Sequence, residues 1–226
     1  MFVKELFSDP GNYVLWVAVV MFSICCHEFA HAYVALRQGD HTAAEAGHLT
    51  LNPMVQMGPL AIGVLLLFGI AWGMVPVSPW RLRHKYSHAL VAFAGPATNL
   101  LLFLAFAGLL AVTITFGRHA AAGDSDRVLA GFMQLFWTGA VLNIVLFCFN
   151  LLPAPILDGW VVITYFFPRL EQVPQEARNA SIFIILVGVG WFGAATLFRF
   201  GYLLTTTAVQ GLAVPLAGLA RLFGVG

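Results

Sequence analysis

Long apolar runs alternate with short polar joints along this chain, spaced as a series of bilayer crossings. Counted against the ~20 apolar residues that cross a hydrocarbon core, the first run extends from Tyr13 to Leu36. A second, Pro59 to Val77, is broken by glycines and is either a short span or a re-entrant hairpin. The third covers Ser87 to Phe116 and the fourth Val128 to Leu152, with a shorter helix expected from Leu157. A fifth covers Ala180 to Leu204, and the glycine-rich tail Thr205 to Gly226 is a sixth span or an interfacial segment. Between the first two runs, "AGHLTLNP" (Ala46 to Pro53) mixes Thr with Leu and ends at Asn-Pro, which favours a short extended segment. "MVPVSP" (Met74 to Pro79) also reads as extended, because proline disfavours helix in the residue before it. Such backbone is tolerated near a bilayer core only where protein covers it or water reaches it. The pattern predicts an all-α polytopic membrane protein of about five to six transmembrane helices with a short membrane-embedded β segment.

Composition agrees. Of 226 residues, 60% are hydrophobic and 9% charged, with mean hydropathy +0.87, whereas charge in soluble domains is nearer a quarter. The net charge of +1 offers no basic surface for nucleic acid, so the expected surroundings are the lipid bilayer and membrane-embedded partners. Cys25, Cys26 and Cys148 form neither a disulfide framework nor a CxxC pair and read as buried thiols. The N-terminal "MFVKELFSDPGNY" lacks the short apolar core and small-residue site of a removable signal, so the first span is expected to serve as its own insertion signal. No repeat or low-complexity tract interrupts the chain, and residues 1–226 are expected to form a single domain.

One stretch changes the picture. "ICCHEFAHAYVAL" (Ile24 to Leu36) sets His27, Glu28 and His31 inside an apolar run. Positions i and i+4 share a helix face, so both imidazoles can reach one metal ion, and Glu28 lies beside them as a proton acceptor for water. Imidazole ligands and hydrolytic chemistry suit Zn²⁺. Each charged group at mid-membrane costs roughly 2.5–3.5 kcal/mol on insertion scales, so three polar groups on one turn need a compensating partner. The plainer alternative is a solvated helix end.

A catalytic zinc usually takes three protein ligands and keeps one open position. The acidic residue in the later spans is Asp158, in "FNLLPAPILDGW" (Phe149 to Trp160). Pro153 and Pro155 force the chain out of helix there, and Gly159 permits close backbone approach beside the carboxylate. An N-cap role for Asp158 is the competing reading.

Together, HEFAH in a first span, "GHLTLNP", "AGPATN" and "FNLLPAPILDG" resemble the site-2 protease family of intramembrane zinc metalloproteases, in the family's order from His27 to Gly159. The motif-supported core is about 13–168, and the spans at about 180–226 carry little motif support. The resemblance implies one Zn²⁺ per chain held by His27, His31 and Asp158, with Glu28 activating water. It implies a wet pocket within the membrane where a substrate helix is unwound and cut, and a home in a bacterial cytoplasmic membrane. Asn150 matches the family asparagine and either donates to the developing oxyanion or supports the proline-broken backbone. His48, Leu49, Thr50, Leu51 and Asn52 resemble the family's embedded β segment, which could take an extended substrate by strand addition. Asn99 and Asn143 are best explained by interhelical hydrogen bonds, and Gly95 and Pro96 by packing and a kink.

The chain departs from the family pattern after Asn52-Pro53. Gln56 and Gly58 stand where a histidine and an aspartate are usual, and Trp160 where a second glycine is frequent. The PDZ or CBS domains of some relatives are absent from these residues. Two other functions compete with proteolysis. A metal transporter or sensor also uses intramembrane His and Asp groups, but should show two related halves. An inactive helix-binding scaffold would follow if Gln56 and Gly58 removed an essential role.

Overall fold

In the computed structural model of the chain, the described residues are 2–117, 124–188 and 193–222. The first long helix, α1 (Pro10–Arg37), starts at two coincident signals: the Asp9 side chain accepts from Asn12 N–H at 3.0 Å, and Pro10 sits at the first helical position. The second apolar run does not continue as one element. Its helix, α2 (Gly58–Phe68), is 11 residues long and ends at Gly69, whose φ of 75° is the left-handed cap glycine takes without strain. At 1.5 Å per residue such a helix reaches ~16 Å, about half a hydrocarbon core. Residues 70–78 then run on outside helix or sheet. Helix α1 fastens the turn between them, with Tyr13 Oη donating to Leu66 O at 2.8 Å and Trp16 Nε1 to Gly69 O at 3.3 Å.

The remaining longer helices are α3 (Ser87–Gly117), α4 (Asp124–Asn150), α5 (Asp158–Phe166), α6 (Gln175–Gly188) and α7 (Ala194–Leu222). Among the described residues, Pro10–Arg37, Ser87–Gly117, Asp126–Asn150 and Ala194–Arg221 are long and apolar enough to cross a membrane. The protein is therefore a helical, multi-pass integral membrane protein. The C-terminal runs divide differently from expectation. Helix α7 passes straight through the expected boundary at Leu204/Thr205, and the Thr206 and Thr207 hydroxyls donate to Tyr202 O and Leu203 O within it. Residues 189–192 and 223–226 of those runs lie outside the described residues.

The short β segment is not formed as a ladder: no strand occurs among the described residues, and 47–52 are turn, bend and irregular chain. The cause is a buried side chain. Gln56 Nε2 donates to His48 O (2.8 Å) and Thr50 O (2.6 Å), meeting two carbonyls that a neighbouring strand would otherwise have to meet. The one backbone bond toward the second extended segment is Met74 N to Gln56 O, 3.1 Å.

The chain divides into two compact units. One comprises residues up to Asn99 with Leu146–Ala194, and the other Leu100–Val145 with the residues from Ala195 on. The second packs largely through apolar and aromatic side chains. Its Trp137 meets Tyr202 edge-on at 5.0 Å, and Phe106, Phe132 and Phe136 form an aromatic row. Asn143, buried there, donates to Gly139 O in its own helix. The first unit carries the chemistry.

Candidate metal centre

HEFAH lies in the middle of α1, where its two histidines project from successive turns with ring centroids 4.6 Å apart. His27, Glu28 and His31 are each only 7% exposed. Polar groups so deep in an apolar helix require partners, and α3 supplies them for the two histidines. His31 Nδ1 donates to Val91 O at 2.7 Å, and His27 Nδ1 to Asn99 Oδ1 at 2.6 Å. Gly95 lies midway between those two positions, one turn from each. A Cβ at Gly95 would collide with Nε2 of both His27 and His31, so the absence of a side chain is what lets α3 approach the imidazoles.

Asp158 arrives from the broken segment. Helix α4 stops at Asn150, and Pro153 and Pro155 keep the next residues in turns until α5 begins at Asp158. A Cβ at Gly159 would run into the Leu151 carbonyl, so the close approach expected of this glycine is present. Leu157, not Asp158, occupies the N-cap position, and no side chain caps the helix. The Asp158 carboxylate turns instead to the histidines, Oδ2 lying 3.1 Å from His27 Nε2 and Oδ1 3.4 Å from His31 Nε2.

The donor set fits a metal ion. With each Nδ1 hydrogen committed to an oxygen acceptor, a neutral ring presents a bare lone pair at Nε2. The two Nε2 atoms are 3.0 Å apart, and one ligand atom from each of His27, His31 and Asp158 falls within a common 4.8 Å. Lone pairs and a carboxylate converging this closely repel one another unless a proton or a metal cation lies between them. Imidazoles oriented by outer hydrogen bonds, one carboxylate and a side open to a cavity match the usual ligand set of hydrolytic zinc.

That cavity, about 670 Å³, is lined by the three ligand candidates, Glu28, Asn150 and residues of the 70–77 segment. Gly73 is the residue laid against Glu28: a Cβ there would overlap the glutamate side chain. Asn150 faces the cavity while its Nδ2 donates to Leu146 O at 3.1 Å, a bond within its own helix. His48 to Asn52 are elsewhere. His48 pairs with Gln56 at 3.1 Å, and Leu49, Thr50 and Leu51 line a separate groove with Cys26, Phe29 and Tyr33. Cys25, Cys26 and Cys148 are free thiols. Gly58 has φ 73°, a conformation that suits glycine better than an aspartate.

Four residues that frame the site were not assigned to it by sequence reasoning. Asn99 orients a ligand candidate as well as packing, and Gly95 makes room at the histidines. Their i, i+4 spacing in "AGPATN", matching that of the two histidines, was the available signal. Gln56 stood out only as a departure from the family pattern, with no role attached, and Gly73 gave no signal, because Glu28 is distant from it in sequence.

A model of peptidase family M50 matches residues 15–191. The "Putative zinc metalloprotease YwhC" of Bacillus subtilis strain 168 is 37% identical over 177 residues, 75% of this chain and 78% of the relative. The "Putative zinc metalloprotease Rip2" of Mycolicibacterium smegmatis is 32% identical over 193 residues, 80% of this chain and 68% of the relative. The protein of that name from Mycobacterium tuberculosis strain H37Rv is 33% identical over 199 residues, 80% of this chain and 71% of the relative. No solved structure matches. The chain belongs to peptidase family M50, the site-2 protease family, and is a zinc-dependent intramembrane metalloprotease.

Proposed function

We propose that His27, His31 and Asp158 bind the zinc, and that Glu28 is the general base and acid of peptide hydrolysis within or near transmembrane segments of membrane-anchored substrates. The observation that carries this reading is the convergence of two Nε2 lone pairs and one carboxylate beside a cavity that also contains Glu28. A zinc ion held there supplies Lewis acidity, polarising a peptide carbonyl and acidifying water. Asn99 Oδ1 and Val91 O hold the imidazoles in the tautomer that leaves Nε2 free. Glu28 takes a proton from the attacking water and returns it to the leaving amine. Asn150 already spends one amide hydrogen on Leu146 O and retains a second for a developing oxyanion.

The substrate edge in this reading is 70–77 rather than 48–52. Along 71–77 burial alternates at every residue, with odd positions half-buried and even positions exposed, the period of a strand. The N–H groups of Met74 and Ser78, both even, are taken by Gln56 O and the Asp40 carboxylate. Alternate residues of an extended chain point their backbone groups to opposite edges, so Gly73, Val75 and Val77 keep the other edge for an unwound peptide. Pro76 lies on the anchored edge, where its missing N–H is no loss to that peptide. In this reading 70–77 takes the place of the His48–Asn52 edge expected from the sequence, and a strand pair forms there when substrate supplies the second strand.

The number of crossings beyond the four long helices follows from the same reading, with α2 and 70–78 as a re-entrant unit. The bacterial cytoplasmic membrane is the proposed location. The test is zinc content by elemental analysis of wild type, His27→Ala and Asp158→Ala. About one zinc per chain, lost in both variants, is expected. Zinc indifferent to Asp158 overturns the three-ligand assignment.

A further inference from the structure

The 70–78 segment runs beside Glu28 without helix or sheet to hold it, so its position depends on a few fastenings. Its start is tied to α1 through Trp16 and Tyr13, and its middle to Gln56. Its end is tied by Asp40, just beyond the other end of α1. Asp40 is wholly buried and both of its carboxylate oxygens are held. Oδ2 accepts from Ser78 N–H at 2.6 Å, and Oδ1 accepts from Thr42 N–H at 3.0 Å and from the Thr42 hydroxyl at 2.5 Å. The Thr42 and Ser78 hydroxyl oxygens are 2.9 Å apart, closing the ring of contacts. Burial by itself pushes a carboxyl up, but the donors from Thr42 and Ser78, with Arg81 nearby, hold Asp40 below its ordinary range. The group is an anion in the fold, and each of its oxygens meets a donor.

A buried carboxylate clamping a loop end is usually read as structural. Here the clamped chain is the one that lines the cavity and presses Gly73 on Glu28. Ser78 is five residues from Gly73, and Pro76 stiffens the link between them. Fixing Ser78 therefore fixes which backbone groups face an incoming peptide and how high they lie over the base.

We propose that Asp40 is a positioning residue for proteolysis, setting through Ser78 the placement of the 70–78 segment as the edge that receives the substrate backbone. The proposal rests on that segment being the substrate edge. It assigns Asp40 no contact with substrate or with the reacting atoms.

The test uses the full chain in lipid nanodiscs carrying Glu28→Gln, so that binding is read without cleavage. The probe is a dye-labelled synthetic single-span apolar peptide with a central Gly-Pro, and its affinity is measured by anisotropy. Asp40→Asn and Thr42→Val are introduced separately, and Thr42→Val, which keeps shape but loses the hydroxyl, serves if the first variant does not fold. Thr42→Ser restores the hydroxyl. Expected are about tenfold weaker binding for Asp40→Asn, a smaller loss for Thr42→Val, recovery with Thr42→Ser, and faster amide exchange over 71–78 in the two damaged variants. Zinc content is expected to stay at the level of the parent.

Unchanged affinity in folded Asp40→Asn and Thr42→Val overturns the proposal, even if exchange rises, because the clamp would then be structural only. Peptide binding that is undetectable with Asp40 intact overturns it too. Failure of the Glu28-intact chain to cut a peptide that it binds counts instead against the catalytic assignment and leaves the Asp40 result standing.

Discussion

Gly95→Ala is the most discriminating substitution, because two opposite effects meet at one atom. Glycine inside a helix costs about 0.5–1 kcal/mol relative to alanine, so helix α3 alone should gain from the change. The added Cβ, however, falls on Nε2 of both His27 and His31. To make room, α3 must withdraw or the imidazoles must turn away. Either movement strains both Nδ1 bonds, since Val91 and Asn99 flank Gly95 on the same helix at four residues to each side. Losing one such outer support typically lowers metal affinity or activity 10–100-fold, about 1.4–2.8 kcal/mol at 1.4 kcal/mol per tenfold. Two together reach about 3–6 kcal/mol, several times the helix gain. Expected, then, is a chain that melts no earlier than wild type in chelator yet has lost most of its zinc and its activity. Elemental analysis and thermal melts with and without chelator read both quantities. Gly108→Ala is the control, because a Cβ at Gly108 meets nothing within 4 Å. One zinc per chain and full activity in Gly95→Ala would falsify the geometric argument.

On the proposed assignment Glu28→Gln removes the proton carrier but not a ligand, so peptide cleavage should fall by at least ~10²–10⁴-fold with zinc content unchanged. Gly73→Ala should displace the Glu28 side chain and lower kcat while zinc stays bound; an unaltered kcat would mean that the segment yields freely. Asp40 provides a pH signature. Its folded-state value lies below the ordinary 3.8, so its contribution to stability is complete above that value and is lost as pH falls through the lower folded one. Amide exchange over 70–78 should accelerate only below about pH 4, and Asp40→Asn should abolish that dependence.

The grouping of His27, His31 and Asp158 into one candidate site was largely legible in the sequence because its elements are local patterns. HEFAH needs one helix turn to bring His27 and His31 together, and the Pro153–Pro155 break announces itself by chemistry that helices reject. The outer supports were less legible. Asn99 and Val91 act through a chain approach 60–72 residues away in sequence, and a carbonyl such as Val91 O leaves no trace in residue identity at all. The expected strand at 48–52 was misread because one buried side chain, Gln56, satisfies its carbonyls from within. The C-terminal boundary was less legible too: the glycine-rich tail from Thr205 was set apart from the preceding run, whereas helix α7 runs through Leu204 and Thr205 without a break.

The alternation along residues 71–77 has a consequence for where substrates are cut. A peptide laid on one edge of an extended chain matches donors to acceptors only in steps of two residues, and a slip by one turns its side chains to the opposite face. If 70–77 is the substrate edge, as proposed, scission is quantised. When one substrate is cut at more than one bond, the sites should be separated by an even number of residues, about 6.6–6.8 Å per step, and mass spectrometry of the products would display that comb directly.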